Sequence, residues 1–270
     1  MAGYILAPMM ASYIASGFRN SAAAAVIVGL VFGPPMRAQA PVSDPIQALE
    51  RELNQQKRTL RDWGGLLRYG SDNTELPPAG DDRVVFLGDQ ITDFWGRGQA
   101  PFFPDKHWLN RGIAGQTTDQ MLVRFRQDVI SLHPKAVVIL GGLNDIAGLH
   151  GFATEEMVLD NLMSMTEIAK ANGIRVVLAS VTPVCDCFDK AAGRRRWQER
   201  ITEVNELIEK YCAQSGAVYL DYYSAMVQDR KKDDDNLKKD LTTNGVVPND
   251  AGYSVMAPLA ARAVSEALKK

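Results

Sequence analysis

Two hydrophobic rhythms alternate along most of this chain. Short apolar runs at Val84–Leu87, Trp108–Ile113, Ala136–Leu140, Arg175–Val181 and Ala217–Leu220 are bounded by turn-forming residues, the pattern of buried strands. Between them, apolar positions at helical spacing predict helices over Thr118–Ser131, Thr154–Ala171 and Arg195–Gln214, with a last one over Ala251–Lys269. Strands alternating with helices predict an α/β domain with a parallel sheet covered on both faces. In such sheets the ligand crevice lies beyond the carboxyl ends of the strands. Chemistry is therefore to be sought at or after Leu87, Ile113, Leu140, Val181 and Leu220.

The chain ahead of the first strand reads differently. Asp44-Pro45-Ile46-Gln47 is a helix start, with Asp at the cap and Pro in the first turn. Ile46, Leu49, Leu53, Leu60, Trp63 and Leu67 then form one apolar face, and Ser71–Asp82 is a turn-rich linker holding Pro77-Pro78 and Gly80. Upstream, Arg19, the apolar run Ala22–Phe32 and Ala38-Gln39-Ala40 are the parts of a secretory signal. That run is shorter than the roughly 20 apolar residues a spanning helix needs. The expected organisation is a signal peptide over 1–40, an N-terminal helix and linker over 41–80, and one α/β domain over 81–270. Such a protein is exported, periplasmic or secreted, with no stable membrane span in the mature chain. The mixed-sign stretch Asp229–Asp240 is expected to be a solvated loop.

Composition narrows the classes. With 270 residues, 46% hydrophobic and 23% charged, the chain is neither disordered nor a coiled coil, and a net charge of −2 gives no electrostatic case for nucleic acid. Three cysteines are too few for a disulfide framework.

Four blocks sit at the strand ends: Gly88-Asp89-Gln90-Ile91-Thr92, Asn110-Arg111-Gly112-Ile113-Ala114-Gly115, Gly141-Gly142-Leu143-Asn144-Asp145, and Thr243-Asn244-Gly245-Val246-Val247-Pro248-Asn249-Asp250-Ala251-Gly252-Tyr253. In this order and spacing they resemble the SGNH or GDSL hydrolases, a family of serine esterases and lipases, over about residues 82–268. The resemblance implies a three-layer, flavodoxin-like sandwich with a five-stranded parallel sheet, and ester hydrolysis by a Ser-His-Asp triad without a cofactor. It also implies a small ester or an acylated carbohydrate or lipid as ligand.

In that family the first block reads G-D-S, with Ser as nucleophile, and the last reads D-G-x-H-P, with a base His and an orienting Asp. The glycine of the second block and the asparagine of the third join the oxyanion hole. Gly88, Asp89, Gly115 and Asn144 match that pattern. Gln90 stands where the Ser should be, Asn244 where the Asp should be, and Val247 where the His should be. A carboxamide has no hydroxyl to deprotonate, valine has no lone pair, and Asn carries no charge to stabilise an imidazolium. The expectation is an inactive esterase homologue or knockout.

Two alternatives remain from the residues. One is a binding module that keeps the crevice for an acylated sugar, lipid or peptide and gives up turnover. The other is an active esterase using Cys185 or Cys187 with His150, the only histidine after the third strand on the catalytic side. His107 and His133 precede strands and are expected at the surface or in capping roles. Asp93, Asp145 and Asp221 lack a His or Cys cluster around them, so no metal is expected. Phe94 and Trp95, with Phe102 and Phe103 beyond, are expected to pack beneath the first helix, the other reading being that they line an acyl or sugar pocket, and specificity is expected to reside in loops such as Pro183–Arg194.

Overall fold

The computed structural model describes residues 45–185, 194–229 and 234–270. The expected signal segment, the cap residue Asp44, Cys187 and most of the Pro183–Arg194 loop lie outside the described residues. The chain divides into two compact units, up to Trp63 and from Gly64 to Lys270. The described helix of the first is α1 (Pro45–Arg61), an amphipathic helix with Ile46, Leu49, Leu53 and Leu60 at helical spacing.

The second unit is built on five parallel strands: β1 (Val84–Gly88), β2 (Trp108–Gly112), β3 (Ala136–Leu140), β4 (Arg175–Ala179) and β5 (Val218–Leu220). Their order is β2-β1-β3-β4-β5, the flavodoxin-like arrangement. β1 and β3 are buried at every residue, which is why they read as unbroken apolar runs. Gly88 is level with Gly112 on one side and Leu140 on the other. Three strand ends therefore finish flush, and the loops that leave them meet.

Right-handed crossovers decide where the helices go. The step from β1 out to β2 runs one way across the sheet; every later step runs the other way. That puts α3 (Gln90–Asp93) on one face, and α4 (Thr118–Val123), α7 (Glu155–Ala171) and α8 (Arg194–Ser215) on the other, where α7 packs against both α4 and α8. The last helix, α9 (Asp250–Ala267), lies along β3, β4 and β5 on the α3 side, where Tyr253 donates to the Ile91 carbonyl at 2.9 Å. Phe86, Trp95, Phe102, Phe103, Trp108 and Tyr253 form a continuous aromatic cluster there. Trp95 is buried in it, the packing role expected from its position.

Three segments depart from the sequence reading. The helix expected over Thr118–Ser131 is broken into α4, α5 (Phe125–Asp128) and a 3-10 turn at Ile130–Leu132. The first break falls at Arg124, whose guanidinium turns inward to meet buried acceptors. The solvated loop expected over Asp229–Asp240 instead includes an antiparallel pair, β6 (Val227–Asp229) and β7 (Asp234–Leu237), and a 3-10 turn at Lys239–Leu241. Leu237 is 0% exposed, and burying it fixes that segment despite the surrounding charges. Within the expected linker, α2 (Gly70–Thr74) forms. Beside it Tyr69 is buried, donates to the Gly112 carbonyl and lies under the Arg111 guanidinium.

Candidate active site

β1 ends at Gly88, where any Cβ would meet Thr92 Oγ1 at 2.2 Å and the Leu140 carbonyl at 2.7 Å. Only glycine lets α3 fold back this closely. Asp89 caps α3, its side chain accepting from the Ile91 N–H at 2.9 Å. Its second carboxyl oxygen is buried with no hydrogen-bond partner among the described residues. Burial pushes this carboxyl up to about 7, the Ile91 hydrogen bond opposing and the nearby Asp145 adding to the rise.

Gln90, the first residue of α3, is 6% exposed. Its carboxamide oxygen accepts from the Gly115 N–H at 3.1 Å and from Asn144 Nδ2 at 2.8 Å. Its Nε2 donates back to Asn144 Oδ1 at 3.2 Å. The direction of this pair is fixed from outside. Asn144 Nδ2 also donates to the Gln116 carbonyl at 2.7 Å, an acceptor that only the NH₂ end can satisfy. The Gly115 N–H is likewise a donor that only the oxygen of Gln90 can accept.

Gly115 and Asn144 are thus aimed at one point by separate loops. Gly115 sits at φ +84°, a conformation that disfavours side chains. Asn144 lies in α6 (Leu143–Ile146), 0% exposed and two residues after Gly142, whose φ of +119° makes the turn out of β3. The next residue, Asp145, accepts from the Thr118 N–H at 3.1 Å and its hydroxyl at 2.6 Å, tying α6 to the start of α4. Burial raises the Asp145 carboxyl against the pull of those Thr118 bonds.

The fourth block is organised differently. Asn244 Oδ1 accepts from the Val246 N–H at 3.0 Å and the Val247 N–H at 2.8 Å. The Val247 carbonyl takes the Thr242 hydroxyl at 2.7 Å, and the Val247 side chain is buried. The loop meets the segment that leaves β4, where the Gly245 carbonyl accepts from the Cys185 N–H at 2.8 Å.

The other candidates have plain roles. His107 is exposed and bonded to Asp82 Oδ2 at 2.6 Å, which holds the Asp82 carboxyl below its usual range. His133 is exposed at the end of the 3-10 turn, with φ +50°. His150 is also exposed. Cys185 is buried and disulfide-bonded, so it offers no thiolate to His150; Cys212 is a buried free thiol that burial pushes up to about 12. Asp93 accepts from Arg97 and the Ala114 N–H, and Asp221 from the Ser224 N–H. Among the described residues no group of three or more His, Cys, Asp or Glu could hold a metal, and no helix is long and apolar enough to cross a membrane.

Sequence reading missed the polar group behind Gly115. Arg124 and Asp128, both 0% exposed, pair at 3.0 Å. A signal was present: they lie four residues apart on the stripe that carries Met121 and Phe125, where charge is out of place unless paired.

Residues 86–255 match the GDSL-like Lipase/Acylhydrolase family. The chain belongs to that family. A Bacteroides fragilis structure named as an acylhydrolase is 38% identical, with a TM-score of 0.71 over 76% of this chain and 98% of that one. A GDSL-like lipase from Bacteroides thetaiotaomicron is 36% identical, with a TM-score of 0.70 over the same shares. A catalytic mutant of an acetylxylan esterase from Geobacillus stearothermophilus shares the fold at 18% identity, with a TM-score of 0.54 over 70% of this chain and 96% of that one. An uncharacterized lipoprotein of Bacillus subtilis, YqeF, is 26% identical over 121 residues, 38% of this chain. That match spans half the length of the relative.

Proposed function

We propose that this chain is a non-hydrolysing member of its family that keeps the carbonyl-binding half of the site. Gln90 stands at the nucleophile position, Asn244 at the orienting acid and Val247 at the base, with Gly115 and Asn144 as the oxyanion donors. The observation that carries this reading is the Gln90 carboxamide oxygen, which accepts from both donors at once. That is the point an ester carbonyl has to reach for its developing negative charge to be stabilised. The amide there is itself a poor electrophile, and neither Asn244 nor Val247 offers a hydroxyl or imidazole to attack anything placed beside it.

The ligand class follows the family: a small ester, or an acylated carbohydrate or lipid, whose carbonyl must displace Gln90 to bind. The signal-like segment over 1–40 and the lipoprotein relative support export to the periplasm or medium.

The test restores Gln90→Ser, Asn244→Asp and Val247→His together in the full chain and assays a short-chain p-nitrophenyl ester. A gain of at least about 10³-fold over the unmodified protein is expected, because triad members act as a unit. Gln90→Ser alone should give little, since its hydroxyl still lacks a base. A folded triple variant no faster than its parent would show that the site has been misplaced.

A further inference from the structure

The two donors come from different loops, so something has to hold those loops in register. Arg124 joins the end of β1 to the loop after β2, and its partner Gln116 carries the link on to Asn144. Its Nη2 donates to the Gly88 carbonyl at 3.1 Å, two residues before Gln90. Its Nε donates to Gln116 Oε1 at 2.6 Å, one residue after Gly115. The backbone of that same Gln116 supplies the carbonyl that aims Asn144 Nδ2. Nη1 pairs with Asp128 Oδ2 at 3.0 Å, and Asn73 Nδ2 holds the other Asp128 oxygen at 2.7 Å. Gln116 Nε2 is in turn fixed on the Gly64 carbonyl at 2.9 Å.

We infer that Arg124 is the positioning residue of the Gly115–Asn144 donor pair, its planar fork setting the spacing between the end of β1 and the loop after β2. A buried charge is a costly way to fill space, and apolar side chains of similar volume often stabilise a core more. Its use here is geometric. Guanidinium presents five donors in a fixed plane and can bind three acceptors in fixed relation, whereas an ammonium is a point charge on a flexible stem. The brace does not include the Gln90 side chain, so the donors stay aimed when that side chain is removed. The role acquires catalytic meaning through the assignment of Gly115 and Asn144 proposed above, but the brace is measurable without any turnover.

Native-state hydrogen exchange on the ¹⁵N-labelled full chain tests it. Arg124→Lys keeps the charge opposite Asp128 and removes the fork. Exchange at the Gly115 N–H and the Asn144 side-chain NH₂ should accelerate about tenfold or more, while the Val177 and Leu178 amides of β4 stay within about threefold. Unchanged exchange at Gly115 and Asn144 in the folded variant would overturn the inference. So would the same acceleration at Val177 and Leu178, which is what loss of a merely structural contact produces. Should the lysine variant not fold, the unmodified chain decides under rising denaturant. Arg124 Nε–H, Gly115 N–H and the Asn144 NH₂ should open with one common free energy, below that of Val177. Gly115 opening while Arg124 stays protected would sink the idea. Failure of the restored-triad assay with these exchange results intact would leave the brace standing and remove only the catalytic assignment.

Discussion

The loops that carry Gly115 and Asn144 and the loop Thr242–Val247 spend their polar groups in opposite ways. On the Gly115–Asn144 side, donors from separate loops converge on one acceptor, and a buried ion pair stands behind them. On the Thr242–Val247 side, the polar side chains turn inward on their own loop: Asn244 bonds the backbone of Val246 and Val247, and Thr242 bonds that of Val247. The first arrangement directs donors from separate loops at a single side-chain oxygen. The second consumes it locally. The two arrangements depend on different loops, so under the assignment proposed above the carbonyl-binding half can stay organised when the proton-transfer half is lost.

Three substitutions probe that contrast, the largest effect first. Arg124→Met strands Asp128 as an unpaired buried charge and should cost about 3–5 kcal/mol in denaturant unfolding. A cost under about 1 kcal/mol would mean the donor side is not stiffened by the pair. Asp89→Asn retains the oxygen that caps Ile91 and removes a carboxyl whose folded value is raised to about 7. A raised acid favours the neutral form, so the contribution of Asp89 is greatest below the ordinary value of 3.8 and falls away as pH rises to about 7. The unmodified chain should therefore lose stability relative to Asp89→Asn across that window and hold a constant gap above it. Denaturation midpoints at successive pH values measure this, and a gap that widens toward acid would reverse the sign. Asn244→Ala removes the oxygen that holds two backbone N–H groups and should cost about 1 kcal/mol, a shift of roughly 2–4 °C in Tm. A much larger loss would mean that the loop is coupled to more than itself.

Much of the frame is legible in the sequence. β1, β3 and β4 read as apolar runs because a sheet covered on both faces has no solvent side to alternate with. The glycines at the strand ends were visible as turns, though the crowding that demands Gly88 was not. Other features were hidden because hydrophobic periodicity treats charge as surface. Arg124 and Asp128 lie on the inward stripe of what looked like one helix, and turning Arg124 inward breaks that helix. The β6–β7 pair escaped for the same reason, since Leu237 is a lone apolar anchor beside a charged run. Gln90 was readable as a poor nucleophile from its chemistry alone. That its amide reaches Gly115 and Asn144 together required three loops in space.

The Gln90–Asn144 pair has one further consequence, for any search for ligands. A tethered group competes at an effective concentration set by its tether, on the order of millimolar or more for a short one. Under the proposed assignment, every copy of the chain carries its own competitor, which dilution cannot remove and dialysis cannot wash away. Under that assignment, screens on the unmodified chain will favour compounds that bind away from Gly115 and Asn144. Gln90→Gly is the chain on which weak carbonyl ligands become measurable.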